Sequence, residues 1–213
     1  MTPTARSQVR RKPTRGSNDD AAVHAVLDAA LLAHVGFSVD GQPFVIPTLF
    51  GREGNTLYLH GSSASRMMRL LETGVSACVT VAIIDGLVLA RSAMHHSMNY
   101  RSVVVFGTAK KIEDRDRKLH ALEVITEHII KGRWAEARIP NDQELKATTV
   151  LELTMDEASA KVRTGGPIDD EEDYSLPVWA GVLPMTLTTG TPLPDDRLVG
   201  DPALPAYVSG YRR

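Results

Sequence analysis

Cysteine is almost absent from this sequence of 213 residues, in which Cys78 stands alone. A single cysteine excludes a disulfide within the chain and any zinc site built from several cysteines. Aromatic residues are also scarce, at 5% of the chain, so the core has to be mainly aliphatic. The sequence therefore predicts a fold that depends on aliphatic packing.

The chain also lacks a strong charge excess and a long apolar run. Its formal net charge is −2, whereas a nucleic-acid partner usually requires a basic surface, so no such partner is expected. No segment approaches the roughly 20 apolar residues of a membrane span, and no membrane contact is expected. The basic start of the chain is not followed by an apolar segment, as a secretory signal would be. We therefore expect a cytoplasmic protein.

The length and composition of the chain predict one domain with two tails. A chain of 213 residues with a hydrophobic content of 43% is long enough to bury a hydrophobic core. Residues 1–16 form a basic N-terminal arm, which we expect to be solvated; a fold over a partner subunit is the alternative. Residues 17–185 form the globular domain. Residues 186–213 form a C-terminal tail rich in proline and glycine.

A hairpin is the clearest local signal. The Asp-Gly pair at 40–41 predicts a tight turn between an extended segment, 34–39, and a returning strand, 42–50. Pro43 and Pro47 each remove a backbone donor from the returning strand. This strand is therefore expected to have a free edge or a bound ligand on one side.

Further strands follow at short intervals. Residues 75–84 are apolar and β-branched, and Asp85-Gly86 is expected to turn the chain back. Residues 100–113 are the longest strand candidate, and residues 149–155 alternate and complete the set. Six or seven strands, mostly joined by hairpins, predict a mainly β fold: an antiparallel barrel with flanking helices.

Helices are expected where a capping residue precedes apolar residues at helical spacing. Ser17 or Asn18 caps the first of them, and residues 63–73 form a short second helix. Asp114 and Asn141 cap two more.

The stretch "LYLHGSSASRMMRL" at 57–70 carries the strongest chemical signal. A strand ends in small hydroxyl residues and leads into a helix that carries Arg66 and Arg69. Backbone N–H groups at a helix start and an arginine fork together suit a phosphate. The alternative is a serine-rich helix cap with solvated arginines. The glycine-rich motifs of P-loops and dinucleotide folds are absent.

No metal site is expected. His95 and His96 are adjacent, and neighbours on a strand point to opposite faces, so they rarely bind one ion. The acidic run "DDEED" at 169–173 is expected to be a solvated loop, since five like charges repel one another.

The order "IPTLF … LYLHGSSASR … NYRSVVVFGTA … SAKVR … VWAGVLP" resembles the FMN-binding split-barrel superfamily. It is most similar to the pyridoxamine-phosphate-oxidase-like branch that includes nitroimidazole-reductase-like proteins. The resemblance spans most of residues 10–185. It implies a six-stranded antiparallel Greek-key split barrel that forms a homodimer and binds two FMN molecules at the interface.

The resemblance also implies which residues contact the FMN. Ile46–Thr48 and Tyr58 would lie along the ring and ribityl chain, and Trp179 would cover the pocket. His60 would be a pocket histidine, tentatively catalytic, or one that only shapes the site. The complete implied cofactor-binding set consists of Ile46, Pro47, Thr48, Tyr58, His60, Ser62, Ser65, Arg66, Tyr100, Arg101, Ser102 and Trp179.

The implied function is that of an FMN-dependent oxidoreductase that acts on small molecules such as nitroaromatics. The segment "VWAGVLPM" lacks the arginine with which true pyridoxamine phosphate oxidases bind their substrate phosphate, so vitamin B6 phosphate is not the expected substrate. Two alternatives stay open. The same fold could hold deazaflavin or haem, with His95 or His96 as an axial ligand of a haem. The protein could also bind flavin without catalysis.

Overall fold

The computed structural model of the protein describes Met1 and residues 3–212. This part of the chain contains nine strands and five α-helices. The strands are β1 Gly16–Ser17, β2 Leu32–Val39, β3 Gln42–Glu53, β4 Thr56–Ser62, β5 Ser76–Leu89, β6 Ser97–Lys111, β7 Thr148–Thr154, β8 Glu157–Arg163 and β9 Gly181–Pro184. The helices are α1 Asp20–Ala29, α2 Arg66–Leu71, α3 Arg115–Ile129, α4 Asp142–Ala147 and α5 Ala206–Ser209.

Six of the strands pair in a closed ring. Around the ring the order is β2, β3, β4, β7, β6 and β5, and β5 pairs with β2 again, all antiparallel. Because β5 returns beside β2 after the β2–β3–β4 meander, the topology is a Greek key. β8 and β1 extend the sheet beyond β6, and β9 extends it beyond β5. The prediction of a six-stranded antiparallel barrel with flanking helices is confirmed.

The core is aliphatic and fills the ring. Inward positions alternate along the strands, as Ala33 and Val35 do in β2. α1 and α2 add apolar side chains to the same cluster, among them Leu27 and Met68. α3 lies across β3, where a Cβ on Gly51 would come within 2.7 Å of the Ile125 Cα atom.

The predicted hairpin turn is present. Asp40 and Gly41 both have positive φ angles, 49° and 80°, and they join β2 to β3 as a two-residue loop. Two positive φ angles are the mark of a type I′ turn, whose twist matches that of the flanking strands. The Asp-Gly signal is confirmed.

The prediction of a second turn, at Asp85-Gly86, was wrong. β5 continues to Leu89, and the pair forms a β-bulge where the register with β6 shifts. Gly86 pairs with Asn99 on one side and Pro184 on the other, so strands cover both of its edges. Strand pairing from distant segments overrides the local turn preference here.

Three of the four predicted helix starts need little or no revision. Asp114 and Asn141 are N-caps, and Asn141 forms a full capping box. The first helix is capped by Asp19, whose side chain accepts from the Ala22 amide at 3.2 Å, instead of Ser17 or Asn18. α2 is shorter than predicted, since it starts only at residue 66.

The two ends of the described chain lie against the barrel. The N-terminal arm is mostly exposed, but the Thr4 hydroxyl and the Arg6 guanidinium both bind Glu157 in β8. In the tail, the Tyr211 hydroxyl donates to the Ile129 carbonyl oxygen at 2.9 Å. Among the helices described, none combines the length and the apolar character that a membrane span requires.

The acidic run is not entirely solvated, contrary to expectation. Asp169 is buried and accepts hydrogen bonds from the Arg91 and Ser92 amides at 3.0 and 3.2 Å. It also pairs with the Arg91 guanidinium at 3.2 Å. Asp169 therefore fastens the loop after β8 to the loop between β5 and β6.

Candidate functional site: the opening between two strands of the barrel

Strand β3 has one free edge. Residues 42–49 pair with β2, whereas only residues 50–53 pair with β4. No strand in the described chain pairs with the 42–49 half on its other side. The facing end of β4, residues 60–62, pairs with β7 alone. We call this opening, bounded by residues 42–49 and 60–66, the β3–β4 split.

Two prolines mark the free edge. Pro43 lies opposite Ser38 and Pro47 opposite His34, both in β2. Val39 and Gln42 flank the two-residue turn as a hydrogen-bonded pair, so positions 43 and 47 are non-hydrogen-bonded positions of this ladder. An N–H at these positions would point away from β2, and a proline has none. The prolines therefore cost no strand pairing here, and the predicted edge is confirmed. Ile46–Thr48, assigned to the cofactor by resemblance, lie on this half-strand.

The turn between β4 and α2 closes one end of the split. The Ser65 amide donates to the Ser62 carbonyl oxygen at 2.8 Å, and the Ala64 amide donates to the Ser62 Oγ atom at 3.2 Å. The Ser65 hydroxyl makes no capping hydrogen bond to α2. These small side chains leave the turn open to a ligand.

Arg66 follows this turn and is exposed. Its guanidinium carbon lies 4.4 Å from the centre of the Phe44 ring in β3, across the split. No carboxylate of the described residues forms an ion pair with it. The aromatic contact thus holds an unneutralised positive charge beside the free edge, which is what an anionic ligand requires.

His60 lies at the end of β4, next to the split. Its Nδ1 atom is buried and has no hydrogen-bond partner in the part of the chain that the structure describes. Burial lowers the pKa of the imidazole, so the ring is neutral at pH 7. An unpaired buried nitrogen costs free energy. A bound molecule that hydrogen-bonds to this nitrogen would remove that cost.

Tyr58, two residues earlier in β4, faces outward beneath α3. Its ring packs against a small apolar cluster formed by Ile112, Ala121 and Val150. Burial, with smaller contributions from Glu53 and Glu152, raises the pKa of the phenol. The side chain is thus occupied by packing, and its predicted contact with a cofactor stays a prediction.

The remaining predicted residues lie elsewhere in the chain. Tyr100, Arg101 and Ser102 are the fourth to sixth residues of β6, which is separated from β3 by β5 and β2, a distance of roughly 14 Å across the strands. Arg101 forms a bidentate pair with Asp85 at 2.9 and 2.7 Å. The Ser102 hydroxyl donates to the Lys161 carbonyl oxygen at 3.3 Å. One chain therefore does not bring this segment to the β3–β4 split.

Trp179, like Tyr100–Ser102, lies away from the β3–β4 split. It lies just before β9, is 67% exposed, and places its ring over Gly181, where a Cβ would come within 3.0 Å of the indole. β9 pairs with β5 and not with a strand of the split. In this chain Trp179 does not cover the split, and its predicted role would need a second subunit.

A cleft of about 550 Å³ beside Arg101 was missed by the sequence reasoning. Its walls come from residues 29–32 and His34, residues 82–85, Arg101 in β6 and the segment 185–187 after β9. We call it the Arg101 cleft. It includes His34, which no motif singled out. No local signal could have found it, because its walls come from four parts of the chain that are far apart in sequence.

The two adjacent histidines have different surroundings. His96 accepts a hydrogen bond on Nδ1 from the Ala90 amide at 3.0 Å. His95 Nε2 lies 3.9 Å from Asp170 Oδ2, and with Asp173 these residues place ligand atoms within 4.8 Å of one another. Exposed acidic groups of this kind are common without an ion. The expectation of a metal-free protein stays a prediction.

Comparison with known proteins identifies the family. The sequence profile described as pyridoxamine 5'-phosphate oxidase matches residues 19–162, more than half of the chain. The chain belongs to this family. The resemblance inferred from the sequence motifs is thereby confirmed, and the family is a flavin-binding one. No curated protein matches the chain.

Three solved structures illustrate what the chain is similar to. The flavocytochrome Anf3 from Azotobacter vinelandii is 44% identical, with a TM-score of 0.92 over 99% of this chain and 98% of that one. A FAD- and haem-binding protein from Mycobacterium smegmatis is 38% identical, with a TM-score of 0.88 over 92% and 96%. A protein from Bacteroides thetaiotaomicron named for 5-nitroimidazole antibiotic resistance is 27% identical, with a TM-score of 0.59 over 69% and 86%.

Proposed function

We propose that this protein is a flavin-dependent oxidoreductase that also binds haem, and that it transfers electrons between the two groups. One observation carries the proposal: two relatives that are 44% and 38% identical over nearly the full length are a flavocytochrome and a FAD- and haem-binding protein. Identities of 44% and 38% over more than nine tenths of the chain support a shared set of cofactors.

The β3–β4 split is the flavin site in this proposal. Three features support it: the free edge of β3, the unpaired charge of Arg66 and the buried unpartnered Nδ1 atom of His60. Arg66 and the Ser62–Ser65 turn would hold a phosphate, and the backbone at Ile46–Thr48 would run along the flavin ring. When bound, the flavin supplies the redox chemistry, and the chain supplies orientation, positive charge and exclusion of water.

The flavin itself is proposed to be FAD. The resemblance in the sequence predicted FMN, but the Mycobacterium smegmatis relative is named for FAD. Both flavins carry a phosphate next to the ribityl chain, so the proposed role of Arg66 is the same for either.

A homodimer would complete the site. Tyr100–Ser102 and Trp179 lie away from the split of their own chain, so a second copy would have to supply them. The outer face of β3 carries the exposed apolar side chains Val45 and Leu49, which a second copy could cover.

Spectroscopy tests the cofactor content directly. The purified protein should show flavin bands and a Soret band, and chromatography of the released flavin should separate FAD from FMN and deazaflavin. In a stopped-flow experiment, mixing with reduced nicotinamide should then bleach the flavin bands before the haem bands change. A protein that takes up neither flavin nor hemin after reconstitution would contradict the proposal.

A second function is favoured by one comparison. The relative named for 5-nitroimidazole resistance shares 27% identity, so a nitroaromatic is a reasonable electron acceptor to assay. Turnover with reduced nicotinamide and a nitroimidazole would support reductase activity. Flavin binding without turnover of any acceptor would instead favour a flavin-binding protein without catalysis.

A further inference from the structure

The Arg101 cleft has the size and the lining of a cofactor site. Its volume of about 550 Å³ lies within the range of roughly 300–1,000 Å³ that small-molecule pockets occupy. Large apolar side chains on its walls are left partly or mainly open: Leu187 is 80% exposed, Ile84 47% and Leu32 45%. Exposed aliphatic surface around a concave site favours an apolar ligand.

One side chain in this cleft is of the type that binds iron. His34 points outward from β2, opposite Pro47 in β3 and Thr80 in β5. It is exposed, and it lines the cleft. Its position in the middle of paired strands fixes its backbone, as a metal ligand requires. Imidazole is a common axial ligand of haem iron.

An ion pair of Arg101 with Asp85 lies at the polar end of the same cleft. Arg101 uses Nε and one terminal nitrogen to bind both oxygens of Asp85, at 2.9 and 2.7 Å. A guanidinium has five N–H donors, so three are left for another partner. Those donors suit a carboxylate. Haem matches these three features. Its ring is apolar, its iron binds imidazole, and its propionate carboxylates lie at one edge.

The other histidines considered as ligands fit less well. His96 accepts a hydrogen bond on Nδ1. In a neutral ring this places the proton on Nε2, which then has no lone pair for iron. His95 lies between the carboxylates of Asp169 and Asp170, a setting that is polar and anionic. Neither residue lines the Arg101 cleft.

We propose that the Arg101 cleft is the haem site, where His34 would bind the iron and Arg101 would pair with a propionate. The inference rests on the proposed function, which requires a haem but does not place it. It also gives Arg101 a role different from the flavin contact that the resemblance implied.

Hemin titration of the purified protein tests the placement. His34→Ala should lower hemin affinity by at least about 10- to 100-fold, the loss that follows even when a residue supporting a metal ligand is removed. The Soret maximum should shift as well, and added imidazole should restore it by filling the space left by the side chain. His95→Ala and His96→Ala are matched controls and should titrate like the wild type. Flavin content, read by fluorescence, should be unchanged in all three.

The outcomes separate this inference from the proposed function. If the wild type binds no hemin, the haem part of the proposed function fails, and the placement fails with it. If the wild type binds hemin and His34→Ala has the same affinity and spectrum, the placement alone is wrong. Loss of the Soret band in His95→Ala, His96→Ala or His60→Ala would identify the true ligand. Circular dichroism of His34→Ala should match the wild type, since exposed positions usually tolerate substitution.

Discussion

At the residue scale, the clearest functional feature is a charge without a carboxylate partner. Arg66 is exposed, it lies against Phe44, and it forms no ion pair with the residues described. Arg69, one turn later, donates to the Ser63 carbonyl oxygen at 3.0 Å. The sequence assigned only Arg66 to the cofactor, and the different surroundings of the two side chains agree with that choice.

Arg66→Ala should weaken flavin binding by about 10- to 150-fold. The expected loss is that of charge-assisted hydrogen bonds to the phosphate, roughly 1.5–3 kcal/mol. Arg69→Ala should matter less, because helix-terminal phosphate sites use mainly the first turn. A flavin titration followed by fluorescence measures both, with circular dichroism as the folding control. Equal flavin affinities of the wild type and Arg66→Ala would rule out the β3–β4 split as the phosphate site.

His60 should make the stability of the flavin-free protein depend on pH. Burial lowers its pKa in the folded chain, whereas the unfolded chain titrates near about 6.5. The unfolded state therefore binds more protons below that pH, and the free energy of unfolding falls as the pH falls. The full contribution is present above about pH 6.5.

Urea unfolding at pH 8 and pH 5 checks this expectation. His60→Gln should lose less stability between these two values than the wild type does, because its side chain does not titrate. His120→Gln, at an exposed histidine that binds Glu53 at 2.9 Å, is the matched control. The same pH dependence in wild type and His60→Gln would contradict a neutral buried imidazole.

At the scale of elements, the packing of α3 on the barrel depends on a missing side chain. A Cβ at Gly51 would lie 2.7 Å from the Ile125 Cα atom and 2.8 Å from its backbone nitrogen. Backbone atoms cannot rotate away as a flexible side chain can. The helix would have to move off β3, where it also shields Tyr58.

Gly51→Ala should therefore lower the free energy of unfolding by about 1–3 kcal/mol, the usual cost of overpacking. Gly166→Ala is the matched control, because nothing lies within 4 Å of its added Cβ and its φ angle is ordinary. Denaturant unfolding followed by circular dichroism compares the two variants. A Gly51→Ala variant as stable as Gly166→Ala would show that α3 is less closely packed than described.

At the scale of the whole molecule, the separation of the two predicted groups of site residues argues for a dimer. Arg66 and Tyr100–Ser102 lie on different parts of one barrel. Light scattering should accordingly give twice the mass of the chain for the flavin-loaded protein. A stable monomer with flavin bound would contradict this expectation.

Val45→Glu should shift the protein toward the monomer. Val45 is 63% exposed on β3, and a charge at a covered apolar face carries a desolvation cost. Leu193→Glu, at a residue 89% exposed in the C-terminal tail, is the control and should leave the mass unchanged. Dissociation in Leu193→Glu and not in Val45→Glu would place the interface elsewhere.

The sequence by itself determined the features that depend on neighbours in the chain. Asp40-Gly41 favours positive φ angles, so the hairpin and its register followed from local sterics. Asp114 and Asn141 cap their helices through bonds to amides three residues away. The two prolines of β3 indicated its free edge, because a proline lacks the donor that a paired strand needs. Family motifs identified the split as the candidate flavin site.

Only the tertiary structure decided what depends on segments far apart in the chain. Asp85-Gly86 became a bulge because β6 and β9 cover both of its edges. Asp169 became buried because Arg91 and Ser92 offer it donors that its own loop lacks. The Arg101 cleft forms where four distant parts of the chain meet. No local pattern encodes such a meeting, since it depends on the closure of the barrel as a whole.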